Sequence, residues 1–129
     1  MNLIISIHPE HVEKILSGEK TWEYRKSIFK KDKDEIDRVY IYSTSPVKKI
    51  VASFEIGRVL KGSPEELWKK TGQESGTDKQ ELMEYFEGHT VGYGIEIKDL
   101  QELEEPIDPY EEFEDFHAPQ SYMYIESDW

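Results

Sequence analysis

Apolar residues in this chain recur at every second position in segment after segment, while stripes with a helical period last barely two turns. "KKIVASFEIGRVL", residues 48–60, sets Ile50, Ala52, Phe54 and Ile56 against Val51, Ser53 and Glu55. That is the repeat of a strand with two unlike faces, here a long one with Gly57 at a bulge or bend. A chain built this way folds around a sheet, and its helices are interruptions of that sheet.

The remaining segments fill in the order of elements. Leu3 to Ile7 reads as a first strand. Pro9 then takes the first position of a helix whose apolar stripe is Val12, Ile15 and Leu16, with Gly18 just past its end. From Thr21 the period returns to two, placing Trp22 and Tyr24 on one face and Glu23 and Arg25 on the other. Lys30 to Asp37 carries mixed charge and reads as a solvent loop. "RVYIYSTSP" is a third strand closed by a turn at Pro46.

Ser63-Pro64-Glu65-Glu66 is a capping box, and Thr77 with Gln80 repeats the pattern. Two short helices are therefore predicted, anchored by Leu67 and Trp68 and by Leu82, Tyr85 and Phe86, and stopped at Gly72 and Gly88. "TVGYGIEI" alternates again as a strand, "QSYMYI" is a last one, and Glu102 to Pro119 between them reads as an irregular acidic loop. The fold class is α+β: a curved sheet or pseudo-β-barrel with short helices inserted between strands. The strand spacing leaves no room for the repeated crossover helices of a doubly wound sheet.

A chain of 129 residues is expected to form one domain, spanning 1–129. Cysteine is absent, which removes disulfides, thiolate nucleophiles and zinc ribbons and fits a cytoplasmic location. No aliphatic run is longer than Leu3 to Ile5, so no membrane span is expected. The net charge of -12 argues against sequence-blind adhesion to nucleic acid. Its distribution qualifies that: residues 1–70 hold 14 of the 16 Lys and Arg against 11 acids, and residues 71–129 hold 2 against 17. The first half can carry a local basic patch; the acidic run from Glu102 to Asp115 is either a solubilising surface or a docking surface for a protein partner.

Gly18-x-Lys20-x-x-Glu23-x-Arg25 resembles the G-x-K-x-x-E-x-R signature of ASCH domains, the activating signal cointegrator homology class of the PUA-like superfamily. "SIHPEHVEKILSGEK", "YIYSTSP", "KKIVASFEIG", "PEELWKKTG", "GYGIEI" and "PQSYMY" agree in order, so the resemblance spans nearly the whole chain. It implies a PUA-like barrel core with a cleft where the signature strand meets the helical insertions, and single-stranded RNA or a modified nucleotide or nucleoside as the partner.

The residues have a physical reading of their own. Lys20 at a helix-strand junction, with Arg25 nearby, can hold a phosphate or a base edge, while Glu23 orients the arginine or accepts a proton from a base amino group. Alternatively they are ordinary polar residues, with Glu23 and Arg25 a weak pair on an exposed strand face. Trp22, Tyr24, Tyr40, Tyr42 and Trp68 offer candidate stacking surfaces, although Trp22 and Tyr24 share a face that suits a core. Ser43, Ser45, Lys48 and Lys49 surround a turn whose hydroxyls and backbone N–H groups can meet a phosphate or simply face solvent.

Some proteins of this class that the chain resembles are N4-acetylcytidine amidohydrolases using a lysine, a threonine and a glutamate. Lys20 matches the lysine and Glu74 falls near the glutamate; the threonine position falls on Glu23, so Thr21 or Ser43 would have to supply the hydroxyl. Glu23 and Glu74 also suggest a carboxylate pair for metal-assisted RNA phosphodiester cleavage, as in a ribonuclease, although in a chain with 28 acids such a pair arises easily by chance. His8, His11, His89 and His117 lack dense ligand spacing, His8 and His11 reading as a solvent-exposed pair at a helix start. No metal and no cofactor are assigned. The expected function is RNA or nucleotide binding at Gly18, Lys20, Glu23, Arg25, Ser43, Ser45 and Lys48, with hydrolysis through Lys20, Glu23 and Glu74 as the alternative.

Overall fold

The computed structural model describes residues 1–126 and 129. The chain runs through β1 (Asn2–Ile7), α1 (Pro9–Ser17), β2 (Trp22–Arg25), β3 (Val39–Ser43), β4 (Lys49–Gly62), α2 (Pro64–Thr71), α3 (Lys79–Tyr85), β5 (Gly92–Ile107), α4 (Pro109–Glu112) and β6 (Tyr122–Ile125). The strands form a six-stranded sheet in the order β2-β5-β4-β3-β1-β6. β1 and β3 pair in parallel, Ile5 opposite Ile41, and the other neighbours are antiparallel.

The sheet curls because its longest pairing is repeatedly out of step. β4 and β5 shift register between Ile50 and Ala52, between Ser53 and Glu55, and between Ile56 and Val59, the last shift containing Gly57. Each irregularity sharpens the right-handed twist. Edge strand β2 is thereby carried round toward β1 and β6: the Arg25 guanidinium donates to the Ser6 carbonyl on β1 at 2.5 Å and lies 5.6 Å from the Tyr122 ring on β6. The result is a half-barrel, open along the seam between β2 and the β1–β6 edge.

Three apolar clusters hold it. Leu3, Ile5, Val39, Ile41, Phe54 and Ile95 fill the barrel and receive Val12 and Ile15 from α1. Trp22, Tyr24, Leu67, Leu82 and Phe86 form a second cluster where the α2–α3 insertion packs on β2. On the outer face, Ile4, Tyr40, Tyr42 and Ile50 are covered by Phe116 and Phe113 from the chain after β5. The segment following β2 is tied to β6 through side chains: Tyr122 donates to the Ser27 carbonyl at 2.9 Å, and the Lys30 and Lys31 amides donate to the Tyr124 hydroxyl at 2.8 and 3.0 Å.

The acidic segment departs from its expected form. Residues 102–107 are the second half of β5, paired with the start of β4 (Glu102 opposite Ala52, Ile107 opposite Ile50), and α4 follows directly. Leu103 and Ile107 pack against the outer-face cluster while Glu102, Glu104 and Glu105 stay exposed. Pairing and burial of those two residues outweigh the poor strand propensity of glutamate. The cap of α3 is also displaced by one residue: Asp78, not Thr77, accepts from the Glu81 amide at 2.8 Å. Gly72 ends α2 without a left-handed turn (φ -55) and leads into a short 3-10 turn, Gly72–Glu74.

Candidate functional site

The site is set up where α1 stops. Gly18 turns the chain with φ 88, its amide bonded to the Ile15 carbonyl. Lys20 and Thr21 are then clamped from both sides: the Lys20 amide donates to the Lys14 carbonyl at 3.1 Å, the Thr21 amide to the Glu74 carbonyl at 2.8 Å, and the Ile97 amide to the Thr21 carbonyl at 2.8 Å. Gly76, at φ 68, lets the turn after α2 rest on this pair; a Cβ there would sit 2.8 Å from the Lys20 Cβ.

All four residues of β2 are buried. Trp22 and Tyr24 lie under the α2–α3 insertion, as their shared parity suggests, and the Tyr24 hydroxyl meets that of Thr71 at 2.5 Å. Glu23 and Arg25 are no exposed pair, because their face turns inward across the seam, toward Ser6 on β1 and Tyr122 on β6. Lys20 Nζ lies 3.3 Å from Glu23 Oε1, and Arg25 Nη2 and Nε lie 3.1 and 3.2 Å from Glu23 Oε2. Each carboxylate oxygen thus faces a cation, the arrangement that makes a carboxylate tolerable at 7% exposure. Lys20 also sits over the Tyr24 ring at 5.0 Å.

This trio floors a cleft of about 530 Å³. Its walls include Ser6, His8 and His11 from the β1–α1 corner, Thr44 after β3, Thr77, Glu81 and Tyr85 from the insertion, and Gln120 before β6. The Tyr85 hydroxyl donates to the Tyr24 carbonyl at 3.2 Å while the residue keeps 40% exposure. Burial holds the Tyr24 and Tyr85 hydroxyls above the usual phenol range, so both remain donors. Burial and the Lys20 ammonium hold the His11 imidazole below its ordinary value, so it is neutral at pH 7. At the rim, the Glu81 carboxylate accepts from the Thr77 hydroxyl. Among the described residues no His, Asp and Glu side chains converge in the manner of metal ligands.

The structure brings together Lys20, Glu23 and Arg25 and places the other sequence candidates elsewhere. Gly18 shapes the turn without lining the cleft. Ser43 is 2% exposed at the end of β3, and Ser45 and Lys48 are exposed on the β3–β4 turn outside the cleft. Glu74 lies on the far flank of the turn after α2, accepting from the Thr21 hydroxyl at 2.8 Å and lining a different groove. Tyr40 and Tyr42 belong to the outer-face cluster. Tyr85, expected from the sequence to anchor a helix alongside Leu82 and Phe86, is instead 40% exposed at the cleft, and His8, His11 and Glu81 are not among the sequence's site candidates. His8 and His11 carried one usable signal, their spacing on the helix that leads into the motif; Glu81 and Tyr85 carried none.

Residues 5–125 match the ASCH domain family, and the chain belongs to that family. An ASCH domain-containing ribonuclease from Zymomonas mobilis is 29% identical over 97% of this chain and 84% of its own length. The crystal structure of ASCH from Zymomonas mobilis superposes with a TM-score of 0.88, covering 98% of this chain and 89% of that one at 29% identity. A large ribosomal subunit protein from Ureaplasma parvum is 32% identical over 65 residues, half of this chain and 21% of that protein.

Proposed function

We propose that the cleft binds one nucleotide of a single-stranded RNA, read between the Tyr85 ring and the Lys20–Glu23–Arg25 floor. The observation that carries this reading is the floor itself: a carboxylate with a cation fixed on either side, at the base of a cavity of nucleotide size in an otherwise acidic chain. Glu23 can accept from a base amino group without losing either cation, Lys20 and the neutral His11 meet ribose or phosphate oxygens, and Tyr85 supplies a stacking face. The ribonuclease from Zymomonas mobilis supports RNA as the ligand class.

A second reading, RNA phosphodiester cleavage, is favoured by His11. A neutral imidazole takes the proton of a ribose 2′-hydroxyl, the 2′-oxygen attacks phosphorus, and the 5′-oxygen leaves with a proton from the Lys20 ammonium. The products are a 2′,3′-cyclic phosphate and a free 5′-hydroxyl. The amidohydrolase arrangement has less support, since Glu74 is outside the cleft.

The test is fluorescence anisotropy with a labelled ten-nucleotide cytidylate, whose bases carry the amino group that Glu23 can accept from, followed by gel analysis of the same mixtures. Tyr85→Ala is expected to weaken binding about tenfold, the equivalent of one lost base stack. Glu81→Gln is expected to tighten it, because a carboxylate at the mouth repels phosphate. Affinity unmoved by both changes rejects the binding reading. Cleavage that His11→Ala abolishes while binding persists establishes the second reading.

A further inference from the structure

A second groove, of about 450 Å³, lies across the turn after α2 from the cleft. The two cavities flank one wall. Ser75 pairs with Lys20 in an isolated bridge, Thr77 faces the cleft, and Gln73 and Glu74 face the groove. Trp22 forms part of the groove's floor, one residue along β2 from Glu23.

Arg58 is the central feature. Its guanidinium lies 5.1 Å from the Trp22 ring and is held by Glu96, whose Oε1 accepts from Nε and whose Oε2 accepts from Nη2, both at 3.2 Å. A planar cation is thus fixed against an indole, with 68% of its side chain still open to solvent. Lys69 and Lys70 follow on α2, both exposed and without an ion-pair partner among the described residues. Trp68 completes the wall, its indole laid against Gly72, where a Cβ would come within 2.8 Å of the ring. An anchored planar cation, an aromatic ring and two unpaired ammonium groups are the parts from which single-strand grooves are made.

The cleft does not supply much net positive charge, because Glu81 and Glu23 offset Lys20 and Arg25. By the same accounting the groove keeps an excess of one positive charge, Arg58, Lys69 and Lys70 against Glu74 and Glu96, so it adds attraction for phosphate that the cleft lacks. We propose that this groove is a second contact for single-stranded RNA, taking a nucleotide that flanks the one in the cleft: a base stacks on the open face of Arg58, and Lys69 and Lys70 meet its phosphates. The proposal rests on the RNA reading of the cleft and extends it.

Lys69→Glu with Lys70→Glu tests it, since both side chains are exposed and neither lines the cleft. Anisotropy of the ten-nucleotide cytidylate, over a salt series, is compared with NMR titration by cytidine monophosphate. The expected result is a loss of about tenfold or more in oligonucleotide affinity and a salt slope shallower by about 1.4, with mononucleotide shifts around Lys20–Arg25 unchanged. An oligonucleotide that binds wild type and the double variant equally, while the mononucleotide still reaches the cleft, overturns the groove and leaves the cleft reading intact. No binding of either ligand to wild type overturns both. Salt-sensitive self-association in sedimentation, lost in the double variant with RNA binding unaffected, would make the groove a docking surface for another copy's acidic residues and also overturn the proposal.

Discussion

Glu96 shows how one side chain links the groove to the stability of the sheet. It sits on β5 opposite Trp22, and the Arg58 guanidinium beside it is the main cause of a carboxyl lowered to about 2, well below the usual carboxylate range. A carboxylate whose folded value is depressed contributes stability in full above its unfolded value, and loses that contribution as pH falls through the folded one. Wild type is therefore expected to exceed Glu96→Gln in stability at pH 7, with the gap closing between about pH 4.5 and 2. Urea unfolding of both proteins over that range measures it; a gap constant with pH would mean that the Arg58 contact does not stabilise the ionised form. His11 works with the opposite sign. Its lowered value means that the unfolded chain takes up the proton first, so this imidazole costs stability below the ordinary histidine range.

The α2–α3 insertion depends on close approach. At Gly92 a Cβ would lie 2.4 Å from Phe86, whose ring is 1% exposed among Trp22, Tyr24 and Leu82 and has nowhere to move. Gly92→Ala is expected to destabilise by about 1–3 kcal/mol through overpacking, read as a lower urea midpoint with an unchanged slope. An unaltered midpoint would show that the insertion can shift away from β5. Elements with a strong local rule were legible in the sequence: α1 between Pro9 and Gly18, α2 from its capping box, β4 from its alternation. The acidic end of β5 was hidden because its strand character comes from pairing with β4 and from Leu103 and Ile107, not from its glutamates. The site divided in the same way. Lys20, Glu23 and Arg25 come from one contiguous stretch and were readable together, whereas Tyr85 and Glu81 reach the cleft through a fold of the chain that no local spacing records.

At the scale of the molecule, the half-barrel seam and the acidic half of the chain explain why net charge says little about the site. The acidic end of β5 begins about 20 Å of strand beyond the residues that pair with β2. Arg25 spans the seam, joining Glu23 on β2 to the Ser6 carbonyl on β1 and lying against Tyr122 on β6. Arg25→Ala is expected to cost about 3–5 kcal/mol, since it leaves Glu23 buried with one cation and removes the link across the opening. Chemical denaturation checks this, and a loss below about 1 kcal/mol would show that the seam closes without the guanidinium. The same clamp also determines what a genetic screen would recover. Random variants sorted first for normal abundance and then for failure to capture RNA should be depleted at Glu23 and Arg25, because such clones drop out at the first gate, and enriched at mouth residues such as Tyr85.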